Sequence, residues 1–143
     1  MATSFSSIYN KFLGMIDDYE LGLLDDNELH EVLFGYLDMA RSLYFPQCQK
    51  NLDNITQEID GEFVDDLTSQ EQYILALGMK KAWLQSKLNN ADLMRKDIGD
   101  RDFKAVQGTA YLKELRALDQ QIDDEIRRYA IDYTYKDFLS KDW

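Results

Sequence analysis

Apolar residues recur along most of this chain at steps of three and four, the spacing that gathers side chains on one face of an α-helix. The clearest stripe lies between Thr68 and Leu88. There Ile74, Leu77, Lys81, Leu84 and Leu88 follow one another at helical steps, and only Lys81 is polar. Tyr73, Ala76, Met79 and Trp83 widen the stripe around much of the circumference, which predicts a central helix packed on more than one side. Thr68 stands three residues before Glu71, the spacing of a capping box. In that arrangement the hydroxyl accepts from the Glu71 N–H while the carboxylate reaches back to the Thr68 N–H. Leu93, Met94 and Ile98 keep the rhythm, so the helix is expected to run on to about Lys96.

Other helices are predicted on either side of this hub. Ser4 to Ile16 reads as a first helix, capped by Ser4 or Ser6 and apolar at Ile8, Phe12, Leu13, Met15 and Ile16. A break is expected at the acidic run ending in Gly22. Asp25 then caps a second helix whose apolar face is Leu29, Val32, Leu33, Tyr36, Leu37, Ala40, Leu43 and Tyr44, with Glu31, Asp38 and Arg41 facing water; Pro46 ends it. Residues 47–67 are polar with scattered apolar positions and an Asp60-Gly61 turn signal, compatible with a short helix over 50–59 or an extended piece over 62–66. Residues 99–108 form a loop bounded by glycines, with Phe103 plugging back into the core. A last long helix starts near Thr109 and carries a seam of Leu112, Leu115, Leu118, Ile122, Ile126, Tyr129 and Tyr133, while Asp119, Asp123 and their charged neighbours lie on its exposed side. The pattern predicts an all-α bundle of four to five helices over residues 1–132 with an extended aromatic tail over 133–143. Its core is marked by Ile74, Leu77, Trp83, Leu84 and Phe103. Tyr133, Tyr135, Phe138 and Trp143 make that tail a candidate for docking in a partner's groove, because aromatic side chains dominate binding energy at interfaces. Truncation after Tyr129 is expected to leave the bundle folded.

Composition changes the picture mainly through charge. The 143 residues carry a net charge of −11. Residues 1–70 hold 14 Asp and Glu against 3 Lys and Arg, whereas residues 71–143 hold 13 of each, so the whole excess lies in the first half. Such a surface repels phosphate backbones and argues against ordinary nucleic-acid binding. It suits a basic partner, mimicry of nucleic acid, or a wall past which DNA slides without sticking. No apolar run approaches the ~20 residues of a membrane span. The start of the chain lacks the build of a signal peptide, and a single cysteine, Cys48, points to synthesis in a reducing cytoplasm.

Reactive chemistry finds little to work with. The one histidine, His30, has Asn27 rather than Glu three positions earlier, so a di-metal bundle motif does not align. Frames built on Gly22 or Gly61 fail as calcium loops, since Leu21 occupies an oxygen-donor position in the first and Thr56 stands in place of the opening carboxylate in the second. There is no glycine-rich phosphate loop and no nucleophile elbow. The expectation is a non-enzymatic chain with no catalytic residues, cofactor or metal.

Glu71, Gln72, Ile74, Leu75, Ala76, Leu77, Met79, Trp83 and Leu84 resemble the EQ-x-ILA-L-x-M-x-x-x-WL core of small structural proteins of tailed bacteriophages. Asp102-Phe103, the opening Ala110, Leu112 and Leu115 of the last helix, and the Phe45-Pro46 end of the second helix extend the likeness to residues 5–130. The chain thus resembles the head–tail connector (adaptor, or neck) class, although Gly78 and Gly108 depart from the pattern. The resemblance implies a homo-oligomeric ring of twelve copies in the virion neck, beneath the portal protein and above tail or neck proteins, through which DNA passes without specific binding. The tail at Tyr133, Tyr135, Phe138 and Trp143 would dock on the portal, and Asp17, Asp18, Asp25 and Asp26 would face the channel. The competing expectation is an acidic DNA-mimic inhibitor of a nucleic-acid-binding enzyme.

Overall fold

The structure, a computed structural model, describes residues 2–16, 19–99, 101 and 108–140. In chain order it comprises β1 (Thr3–Ser4), α1 (Phe5–Leu13), α2 (Tyr19–Gly22), α3 (Asp26–Met39), a π-helical turn (Ala40–Tyr44), β2 (Glu62–Phe63), α4 (Ser69–Ile98) and α5 (Gly108–Ser140). The predicted helical class holds, with one addition. β1 and β2 pair antiparallel, Thr3 opposite Phe63 and Ser4 opposite Glu62.

The helices begin where their capping residues place them. Ser4 Oγ accepts from Ser6 N–H at the start of α1, and Asp25 Oδ1 accepts from Glu28 N–H at the start of α3. Both arms of the Thr68–Glu71 capping box are formed, at 3.1 and 2.8 Å. Gly99, at φ +83°, follows the last residue of α4 in the left-handed conformation that closes a helix.

α4 is the hub. Its first half carries Ile74, Leu75, Ala76 and Met79 into the main core, where they meet Phe5, Ile8 and Phe12 from α1, Leu33 and Leu37 from α3, Phe45, Phe63, Leu67 and Tyr133. The Phe5 ring stacks on Phe34 and meets Phe63 edge-on. Each fully buried ring or branched side chain here contributes about 1.5–3 kcal/mol. A second cluster joins Leu84 and Ala91 of α4 to Leu112, Leu115 and Ile122 of α5. Among the described residues it draws on these two helices alone. Trp83, only partly buried, packs against both clusters and links them. Ile74, Leu77 and Leu84 are buried as expected; Phe103 lies outside the described residues.

Several expectations are corrected. The aromatic tail does not begin at Tyr133. Helix α5 continues to Ser140, and Tyr133 is buried in the main cluster with its ring edge-on to Phe45. A domain boundary at 132/133 therefore cuts a continuous helix through a core residue.

The second helix does not keep one register to Pro46. The π-turn inserts an additional residue per turn and so rotates the positions after it. Leu43 is turned outward, 61% exposed, while Phe45 is driven inside. Arg41 does not face water. Its guanidinium binds Asp38, Asp53 and the Leu52 carbonyl, tying the following loop to the helix.

Over 47–67 there is no helix at 50–59. The extended alternative is realised as β2, with an isolated bridge from Ile55 to Phe63. The Asp60-Gly61 turn forms beside Ile59 at φ +68°, and a Cβ on Gly61 would lie 2.0 Å from the Gln57 carbonyl oxygen, so only glycine fits.

In α5, Leu118 leaves the seam because two successive three-residue steps swing it to the edge of the stripe. Asp119 and Asp123 turn toward α4 instead of lying on the exposed side.

Candidate docking surface and the contacts that build it

Glu71 is the residue on which this end of the molecule is fastened. The capping box places its carboxylate over the first turn of α4, where it is fully buried beside the loop that follows the π-turn and the last third of α5. Oε1 accepts from Thr68 N–H at 2.8 Å and from Lys50 Nζ at 3.1 Å; Oε2 accepts from the Tyr133 hydroxyl at 2.7 Å and faces the Cys48 thiol at 3.6 Å. The Tyr133 oxygen in turn accepts from Gln49 N–H at 3.0 Å.

Burial opposes ionisation of Glu71, yet the hydrogen bonds from Thr68, Tyr133 and Lys50 outweigh it and hold the carboxyl below its ordinary value. Burial, then the Glu71 carboxylate, pushes the Tyr133 phenol well above its ordinary value. Burial lifts the Cys48 thiol to about 11, which leaves it protonated and unreactive near neutrality. Among the described residues no buried side-chain polar atom lacks a hydrogen-bond partner. Every buried polar side-chain atom of the Glu71 cluster is thus engaged, and the cluster is a clamp.

A second polar lock sits halfway along the α4–α5 pair. Lys81, the lone polar residue of the predicted stripe, is buried and reaches Asp119 at 2.6 Å and Asp123 at 2.9 Å, with Gln85 also on Asp119. Burial disfavours its charge, but the two carboxylates prevail and raise its pKa above the ordinary value. Slipping either helix by a turn would strand these charges, so the lock fixes the register of the two long helices.

A groove of about 760 Å³ lies between the end of α1, the start of α4 and the last third of α5. Its apolar wall is formed by Met15, Tyr73, Tyr129 and Tyr135. The Tyr73 and Tyr129 rings meet edge-to-face at 5.3 Å, and the Arg128 guanidinium lies over Tyr129. Tyr135 is 60% exposed, with Ile131 open to solvent one turn before it on α5. The charged residues of its lining are Lys11, Lys136 and Asp132. Such a concave surface, rich in tyrosine and half wet, suits a protein partner better than a small ligand.

The predicted site residues separate. Tyr133 belongs to the clamp, Tyr135 lines the groove, Phe138 falls in the last described turn of α5, and Trp143 lies outside the described residues. Asp25 and Asp26 are exposed at the start of α3, and Asp25 is engaged as its cap. Asp17 and Asp18 lie outside the described residues. His30 is held by Asp60 at 2.5 Å, bracing the loop against α3. Sequence reasoning missed the groove because its walls come from three segments far apart in the chain. The available signal was that Tyr73 widens the α4 stripe and Tyr129 belongs to the α5 seam.

Among the described residues no group of three or more His, Cys, Asp or Glu is arranged to hold a metal, and no helix is long and apolar enough to cross a membrane. No family model matches the chain, and no curated protein or solved structure matches it either.

Proposed function

We propose that this chain is a structural component of a virion, a head–tail connector that forms a ring beneath the portal and extends the DNA channel toward the tail. The observation that carries the reading is where the resemblance falls. The residues from Glu71 to Leu84, which resemble the connector core, lie in the part of α4 against which α1, α3, the π-turn and the end of α5 all pack. Gly78, a departure from the connector pattern, has a local explanation: α4 crosses the π-turn so closely that a Cβ there would sit 2.7 Å from the Ala40 Cβ.

A ring needs faces for its neighbours, and the tyrosine groove with the open side of α5 provides one. A channel wall needs to repel DNA, and the acidic excess carried by residues 1–70 supplies carboxylates for it. Docking on the portal falls to the residues beyond Lys136, with Phe138 and Trp143 as anchors.

The test is to look for the chain in particles made by the genome that encodes it. Labelled antibody should mark the neck of mature particles, and deleting the gene should leave filled heads and tails unjoined. Particles that complete normally and lack the chain would refute the reading.

One observation favours a second reading. Asp25, Asp26, Glu28 and Glu31 stand exposed along the first turns of α3, a row of carboxylates of the kind a DNA mimic presents to a basic groove. Stable capture by a DNA-binding enzyme, reversed by added duplex, would favour mimicry; indifference to such enzymes would exclude it.

A further inference from the structure

The tyrosine groove has a chemical counterpart on the same chain. Leu23, 68% exposed, is the most exposed large apolar side chain among the described residues, and it lies between α2 and α3 directly before Leu24, Asp25 and Asp26. Asp25 and Asp26 are themselves exposed. This corner is an apolar knob followed by two carboxylates. The groove is its complement, an apolar wall of Met15, Tyr73 and Tyr135 with two lysines in the same lining.

The lysines are telling. Residues 1–70 contain only three basic side chains, Lys11, Arg41 and Lys50. Arg41 is taken up by Asp38 and Asp53, and Lys50 by Glu71. Lys11 makes no ion pair or side-chain hydrogen bond among the described residues, and neither does Lys136, which lines the same groove. In a chain with 27 acidic residues against 16 basic ones, two such cations in the lining of one groove, against the single acid Asp132, are placed for an acidic visitor.

We propose that the occupant is a second copy of this chain: the Leu23–Asp26 corner of one copy inserts into the groove of the next, Leu23 against Tyr73 and Tyr135, Asp25 and Asp26 facing Lys11 and Lys136. A foreign acidic partner would satisfy the groove and leave Leu23 in water; a second copy satisfies both. Knob and groove are different patches, so the contact is heterologous. It passes from copy to copy and closes into a ring when the rotation per copy allows. The inference deepens the ring reading above and rests on it for closure, whereas the pairing itself is testable on the purified chain.

Sedimentation of the full chain, followed up to about 1 mM so that even a weak contact registers, is the measurement. Wild type should associate with rising concentration. Leu23→Asp, which spoils the knob, and the double variant Lys11→Glu/Lys136→Glu, which spoils the groove, should each remain monomeric while keeping the wild-type circular dichroism and melting profile. Mixed in equal amounts, the two should form a one-to-one pair and nothing larger, because only one intact groove meets one intact knob. Tyr135→Ala should weaken association by a separate route.

The proposal is overturned if wild type stays monomeric throughout, if both charge and knob variants associate as wild type does, or if the mixture fails to pair. These outcomes are distinguishable from failure of the connector reading. Particles that carry the chain at the neck when it bears Lys11→Glu/Lys136→Glu would sink the groove contact alone. Self-association by knob and groove in a chain missing from particles would sink the connector alone.

Discussion

At the scale of single residues, the Glu71 carboxylate does two jobs that normally fall to different groups. It caps α4, and it gathers Lys50, Tyr133 and the turn after the π-helix onto that cap. Tyr133→Phe removes a hydroxyl that donates to a buried anion and accepts from Gln49 N–H, and should cost about 1–2 kcal/mol in urea denaturation. Glu71→Gln keeps the shape but turns an amide donor toward groups that are already donors, so its cost should be larger, about 2–3 kcal/mol.

The same cluster sets a pH window. The Glu71 pKa is lower in the folded chain than its ordinary value of 4.5, so its contribution is complete above that value and is lost as pH falls through the depressed folded value. The phenols of Tyr9 and Tyr133 shift upward, each first through burial, then through a nearby carboxylate (Asp60 and Glu71 respectively). Their contribution is complete below the ordinary value of 10.0 and is lost as pH rises through the raised folded values. The denaturation midpoint should therefore be flat between about pH 5 and about pH 9 and fall on both sides. Glu71→Gln should make the acid limb shallower, and an unchanged acid limb in that variant would assign it to other carboxylates. The capping half of this arrangement was legible in the sequence as Thr-x-x-Glu. The clamping half was not, since nothing local announces that Tyr133 and Lys50 arrive at the same oxygen pair.

Elements were readable in proportion to how far they obey a single period. α4 and α5 keep theirs, and their existence, their facing stripes and most of their buried positions come from spacing alone. The second helix begins with the same regularity and then loses it at the π-turn, where one additional residue exchanges Leu43 for Phe45 as the inward side chain; no count of threes and fours predicts that slip. Lys81 likewise reads as a blemish in the α4 stripe, and only the α5 partners Asp119 and Asp123 turn it into a register lock. The π-turn and Gly78 form one device, because the turn brings Ala40 and Tyr44 against α4 at the point where it has no Cβ. Gly78→Ala should favour the isolated helix by ~1 kcal/mol and yet destabilise the protein by about 1–3 kcal/mol through overpacking. Ala40→Gly placed beside it should recover part of the loss, giving a coupling of opposite sign in a double-mutant cycle. Simple additivity of the two substitutions would mean that the turn yields rather than resists.

On the scale of the whole molecule, two clusters strung along one pair of long helices divide the work. The main cluster is built largely from the first half of the chain, which carries the entire charge excess, and it is closed by the last third of α5; the second joins α4 to the opening of α5 alone. The end of the chain is therefore structural for longer than its aromatic, terminal composition implied. Stopping at Tyr129 deletes Ala130 and Tyr133, both buried, and leaves Glu71 without its phenol donor and Phe45 without its ring partner. Losing one buried aromatic side chain typically costs about 3–5 kcal/mol, a large share of the stability of a domain this size. A chain ending at Tyr129 should thus melt far below wild type or fail to fold, contrary to what a detachable tail predicts. A chain ending at Lys136 retains the clamp and every residue of the groove and should melt close to wild type. If that shorter chain still associates with itself but no longer docks on a portal, self-assembly belongs to the groove and docking to Phe138 and the residues after it. If it keeps both activities, the last seven residues are not the anchor. Thermal denaturation of the two truncations, read beside their sedimentation, separates a segment that holds the fold together from one that reaches beyond it.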